Sequence, residues 1–141
     1  MNDTELRTSI DAWFAQYDAY SKTGDVERMA DMALFPIHVI TDDSAGNGHA
    51  ENWGRAEFVE IMSGAMAGTP PDMEMTTTRT PFFLSNSMVT VITNATVTAG
   101  GQRYDMCYAD VLVKIDGEWK FQTMAQSGWG DMLKARPNAI V

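Results

Sequence analysis

Residue types that staple, ligate or punctuate a chain are scarce here: 141 residues include one cysteine, two histidines and five prolines. A single thiol, Cys107, excludes an intramolecular disulfide, and its place inside a strand-like run predicts a buried, inert side chain. His38 and His49 show neither H-x-H nor H-E-x-x-H spacing, so no metal site is expected. Basic residues are few as well. Ten Lys and Arg against nineteen Asp and Glu leave a formal charge of -9 at pH 7, which repels phosphate backbones and anionic membranes, and no Lys/Arg cluster offsets it. Nucleic acid is therefore not an expected partner. No apolar run approaches the ~18 residues that span a bilayer, and no cationic leader precedes an apolar stretch. Neither membrane insertion nor export is expected, and a cytoplasmic location is. G-x-G-x-x-G, G-x-x-x-x-G-K-[ST] and G-x-S-x-G are all missing, so no cofactor is expected, and Ser127-Gly128-Trp129-Gly130 reads as a turn.

What is present suffices for one domain over 1–141, with a tail from about residue 129, able to bury roughly two thirds of its unfolded surface. Hydrophobic residues make up 45% and charged residues 21%, which excludes wholesale disorder. The strongest local signal is Asp116-Gly117 between two apolar runs, a two-residue loop whose positions must both accept φ > 0. It predicts a hairpin of 102–115 with 118–126. Period-2 alternation puts Tyr104, Met106, Tyr108, Asp110 and Leu112 on one face of the outgoing strand unless a bulge intervenes, and Trp119, Phe121 and Thr123 together on the return strand.

Upstream, Asn2 and Glu5 form a capping-box pattern before Leu6, Ile10, Trp13, Phe14 and Tyr17, an amphipathic helix ended by Gly24. Asp25 caps a second, short helix carrying Val26, Met29, Ala30 and Ala33, which Pro36 stops. Residues 37–41 read as a short strand and 42–52 as a polar loop with a solvated His49. A third helix opens at Trp53 or Gly54, carries Phe58, Ile61, Met62, Ala65 and Met66 on one stripe, and ends at Gly68-Thr69-Pro70-Pro71. Strands follow over 73–84, 88–99, 102–115 and 118–126, joined by turns short enough to force antiparallel neighbours. The expected class is α+β, in the order α-α-β-α-β-β-β-β, with three helices packed on a strongly curved antiparallel sheet.

Tyr17 in an aromatic first helix, Thr23-Gly24-Asp25, 32–35 before the short strand, Gly54-Arg55-Ala56-Glu57-Phe58 and 115–120 at the last hairpin, taken in this order, resemble the NTF2-like superfamily, in its SnoaL-like or ketosteroid-isomerase-like branch. The resemblance implies a cone-shaped sheet around a deep pocket and a homodimer formed through the outer sheet face, which here carries Thr90, Asn94, Thr96 and Thr98. It implies a small, largely apolar ligand or substrate and cofactor-independent proton transfer of isomerase or cyclase type. The alternative, a non-catalytic ligand-binding or assembly module with its pocket filled by Trp13, Phe14, Trp53 and Phe83, stays open.

Carried over residue by residue, the resemblance implies Tyr17 as the oxyanion-binding tyrosine, eight residues before Asp25, Asp42 as the base after the short strand, and Asp110 as the pocket acid. Asp43 competes with Asp42 for its register. Trp13, His38, Trp53, Phe58, Met62, Phe83, Met106 and Tyr108 are the expected pocket lining, with His38 facing either inward as a base or outward. An apolar site pushes a carboxyl toward its neutral form while a solvated one stays ionised, a division for which ketosteroid isomerase is a standard illustration. The bland reading of the same residues is a core tyrosine and two solvated carboxylates.

Overall fold

In the computed structural model, which describes residues 2–136, the chain runs α1 (Asp3–Thr23), α2 (Val26–Asp31), β1 (Ala33–Asp42), β2 (Gly48–Trp53), α3 (Arg55–Ala67), β3 (Glu74–Ser85), β4 (Met88–Ala99), β5 (Gln102–Ile115), β6 (Glu118–Gln126) and α4 (Gly130–Ala135). Asn2 caps α1 by accepting from the Glu5 N–H at 2.8 Å, and Gly24 ends it at φ 71°. The helix buries Leu6, Ile10 and Phe14. Two indole bonds hold α1 to β6: Trp13 Nε1 donates to the Trp119 carbonyl at 2.9 Å and Trp119 Nε1 to Ser9 Oγ at 3.0 Å.

Six strands form one curved sheet in the order β2-β1-β6-β5-β4-β3. The Asp-Gly loop behaves as expected, with Asp116 at φ 50° and Gly117 at φ 82°. Alternation in β4 sorts Val89, Val91, Thr93, Ala95 and Val97 to the buried face beneath the helices. Trp53, Phe58, Ile37, Val39, Leu112 and Phe121 complete that core. Each such side chain contributes about 1.5–3 kcal/mol on burial.

Five local expectations change. α2 stops at Asp31, and Ala33 already pairs with Phe121, so β1 starts before Pro36. β1 also runs parallel to β6, which makes the sheet mixed. The expected loop over 42–52 holds a strand, β2, whose residues His49, Glu51 and Trp53 turn inward opposite Thr41, Val39 and Ile37. Alternation was hidden there because two of the three inward side chains are polar. Finally, a bulge offsets β5 against β6 between Val111 and Leu112. It turns Met124 into the core where period 2 places Thr123. Cys107 is exposed, on the parity opposite Tyr108, so the buried thiol expected from its strand context is not found.

Candidate functional site

Sheet register assembles the site. One row across the strands reads Arg79, Thr93, Tyr108, Gln126, and the next reads Pro81, Val91, Asp110, Met124, Val39. Because Val39, Val91 and Thr93 are wholly buried, both rows face the helices. α1 sets Phe14, Tyr17, Asp18 and Ser21 over them, α3 adds Met62, and the turn after β6 adds Trp129. Together they line a half-open chamber of about 160 Å³.

Four of the chamber's polar groups, from three elements, have shifted proton affinities. Burial pushes the Asp110 carboxyl up to about 7, against the pull of the Arg79 guanidinium. Burial likewise raises Tyr17 far above the ordinary phenol range, helped by the charges of Asp110, Tyr108 and Asp18, so its hydroxyl remains a donor. Tyr108 is raised by burial, against the pull of the nearby Arg79 guanidinium. Arg79 is the hub. Its own burial disfavours the charge, but a fork of bonds from Nη1 and Nη2 to the two Asp18 oxygens, 2.6 and 3.0 Å long, outweighs it. The guanidinium also stacks 4.2 Å from the Phe14 ring centre. Arg79 Nε and Thr93 Oγ1, neighbours in the same row, are buried without a partner among the described residues.

Of the three residues given chemical roles by the resemblance, Tyr17 and Asp110 meet in this chamber and Asp42 does not. Asp42 Oδ1 accepts from Ser127 Oγ at 2.7 Å and from the Gly128 N–H at 2.8 Å, contacts that hold its carboxyl below the usual range. It is the fastener of the β6–α4 turn. Asp43 does not take its place, since its carboxylate accepts from Ala45 N, Asn47 N and Lys134 Nζ in the β1–β2 turn.

Among the expected lining residues, Met62 and Tyr108 reach the chamber. Trp13 lies behind it, stacked on Tyr17 at 5.2 Å between ring centres. Trp53 and Phe58 are core residues, and Phe83 packs on Trp119. Met106 shares the parity of Tyr108 but lies further along β5, outside the chamber wall. His38 sits on the opposite sheet face, its Nδ1 2.9 Å from Asn52 Oδ1. His49, expected in solvent, is instead bonded to Glu51 at 2.7 Å and largely buried. Burial penalises the Glu51 charge, but bonds from Trp53, His49 and Arg136 lower its carboxyl overall. These groups close the α4 end of the sheet. No group of His, Cys, Asp and Glu among the described residues could hold a metal ion.

Arg79 and Asp18 escaped the sequence reading. Arg79 had a usable signal: it is the one charge within β3 on the parity of Phe83, which must face inward. Asp18 had none, because an aspartate after the last apolar helix position reads as solvated.

The sequence profile of the SnoaL-like domain matches residues 10–129. Among solved structures, an NTF2-like protein of unknown function from Pseudomonas putida superposes with a TM-score of 0.71 at 12% identity, over 89% of this chain and 87% of that one. A cystatin-like-fold domain from Nostoc punctiforme gives 0.67 at 15%, covering 97% and 90%. A candidate scytalone dehydratase from Novosphingobium aromaticivorans gives 0.61 at 21%, covering 89% and 86%. At these identities the likeness is one of fold. No curated protein matches the sequence.

Proposed function

The chain belongs to the SnoaL-like domain family, within the NTF2-like fold, and on that premise we propose that the whole of 1–141 is one pocket domain for a small, largely apolar carbonyl compound on which it catalyses cofactor-independent proton transfer. The observation that carries this reading is the meeting of Asp110, Tyr17 and Tyr108 in one chamber, with the Asp110 carboxyl raised by burial to about 7. A carboxyl titrating near neutral pH can both take and return a proton, and positioned proton transfer of this kind is worth ~10²–10⁴ in rate.

In this scheme the ionised Asp110 removes a proton from the carbon next to the carbonyl. The C–H electron pair becomes the enolate double bond, and the carbonyl oxygen takes the negative charge. Tyr17 and Tyr108 donate hydrogen bonds to that oxygen, with Arg79 supplying positive charge behind Tyr108. Asp110 then returns the proton to the same carbon or to its vinylogous neighbour. The base role that the resemblance assigned to Asp42 passes to Asp110.

Deuterium exchange into the α-carbons of cyclohexanone, followed by NMR in D₂O, tests the scheme. Wild type should exchange above the buffer rate, Asp110→Asn should fall to background, and Tyr17→Phe should lose roughly tenfold to a hundredfold. Exchange that survives Asp110→Asn contradicts it. A second reading, the non-catalytic binding module, is favoured by the small chamber and by the use of Trp53 and Phe58 in the core. It predicts cyclohexanone binding without exchange.

The partner we propose beyond the ligand is a second copy of this chain, seated on the outer sheet face where Ile40, Phe82, Leu84 and Met88 are 44–69% exposed. Among the described residues no helix is long and apolar enough to cross a membrane, and we propose the cytoplasm as the location.

A further inference from the structure

Two carboxyl groups and one guanidinium line the chamber, so the guanidinium can pair fully with only one of them. Asp18 reaches it from α1, while Asp110 stands on β5, two strands from Arg79 and one row along. Between them β4 presents Val91 and Thr93, short side chains that leave the space over the sheet open to a long one. Asp18 has taken the arginine. Nη1 and Nη2 each donate to one Asp18 oxygen, at 2.6 and 3.0 Å, and the Phe14 ring covers the guanidinium with its centre 4.2 Å away. Phe14 and Asp18 are four residues apart on α1 and so share one helix face, which draws the guanidinium toward the helix.

The partners of this pair differ in exposure. The Asp18 side chain is 45% exposed and the Arg79 side chain 15%. Water screens the first, whereas the second acts across a chamber of about 160 Å³ with little screening. Facing Asp110 are Tyr17 and Asp18 from α1, Arg79 from β3 and Tyr108 from its own strand, and every other lining side chain is uncharged. Burial raises both phenols, so they stay neutral across the range in which Asp110 titrates, and Arg79 is the charge that pulls on its proton. Removing the fork therefore has a definite sign. An arginine released from Asp18 finds Asp110 as the other carboxyl in the chamber, and an opposite charge at close range lowers a carboxyl by about 1–3 pH units. Asp110 paired in that way is ionised but a weaker base.

We propose that Asp18 is a positioning residue for proton transfer: by engaging both ends of the Arg79 guanidinium from α1, it keeps Arg79 from pairing with Asp110 and leaves Asp110 free to take and return a proton. The inference rests on the functional reading above and deepens it to how that site is controlled. Asp18 touches no substrate in this scheme and acts through Arg79 alone.

The test follows the Asp110 carboxyl by ¹³C titration in the full chain as wild type, Asp18→Asn, Arg79→Met and the double variant. Asp18→Asn should lower the midpoint by at least about one pH unit, and the pH at which cyclohexanone deuterium exchange reaches half its maximum should fall with it. Arg79→Met should move the midpoint above the wild-type value, a direction that loss of folding cannot mimic. With Arg79→Met in the background, Asp18→Asn should move it by less than about 0.3 of a pH unit, because water screens the Asp18 charge. Asp18→Glu, which keeps the carboxylate, should restore the wild-type midpoint. A midpoint unmoved by Asp18→Asn, or an equal fall with and without Arg79, overturns the positioning role while leaving Asp110 as the proton carrier. A wild-type midpoint at the ordinary 3.8 overturns both.

Discussion

Asp110 is the residue on which stability and chemistry pull in opposite directions. Its carboxyl binds a proton more tightly in the folded chain, at about 7, than in the unfolded chain at 3.8. The folded state therefore holds the extra proton between those values, and stability contributed by this group falls as pH rises from about 4 to about 7, then levels off. Asp110→Asn removes the titration. The variant should gain on wild type through that window, by up to roughly 4 kcal/mol at pH 8, visible in urea midpoints measured at pH 5 and 8. Equal midpoints at both pH values would show a solvated carboxylate. Tyr17 and Asp110 were legible in the sequence because helix periodicity and strand alternation assign each a face. Arg79 was only partly legible, since its inward parity follows from Phe83 but its fork to Asp18 depends on how α1 crosses β3. For that fork, Asp18→Asn should cost about 2 kcal/mol, the worth of a charge-assisted bond, with a reduced midpoint as the check.

The elements that frame the chamber are held by contacts that alternation does not encode. α4 is seated by Asp42 on Ser127 and Gly128, by Trp129 N on Thr41 Oγ1 at 3.0 Å, and by the Asp43–Lys134 pair at 2.6 Å. Asp42→Ala should lower the melting temperature yet leave deuterium exchange at the wild-type rate. A base would behave the other way round. Gly130 is the sharpest constraint in this region, because a Cβ there would lie 2.5 Å from the Asp42 carbonyl oxygen. Gly130→Ala should cost about 1–3 kcal/mol by overpacking, measured by urea denaturation. β2 was illegible for a related reason: Glu51 faces inward only because Trp53, His49 and Arg136 satisfy it, and those partners come together from β2 and the C-terminal end of the described chain. The tail expected from about residue 129 is helical over α4, and its last part, 137–141, lies outside the described residues.

At the scale of the whole molecule, the helix and strand order follows from capping, turn chemistry and periodicity, all of them local signals, and the α+β class was readable from them. The parallel β1–β6 pairing was not, because a pairing between strands far apart in sequence has no turn to announce it. The outer sheet face combines the expected threonines with apolar side chains at one end, Phe82 and Leu84 on the edge strand β3 beside Met88. Light scattering at micromolar concentration should return twice the chain mass, and the pair Phe82→Glu with Leu84→Glu should return the single-chain mass with the chamber still able to bind cyclohexanone. A monomeric wild type would remove the proposed second copy.

The central claim is that the fold encloses a carboxyl tuned to exchange protons near neutral pH. Its most direct measurement is the ¹³C titration of the Asp110 side-chain carboxyl in the intact protein, assigned by its loss in Asp110→Asn. The account predicts a midpoint about 7. A midpoint near 3.8, in the ordinary aspartate range, would contradict it.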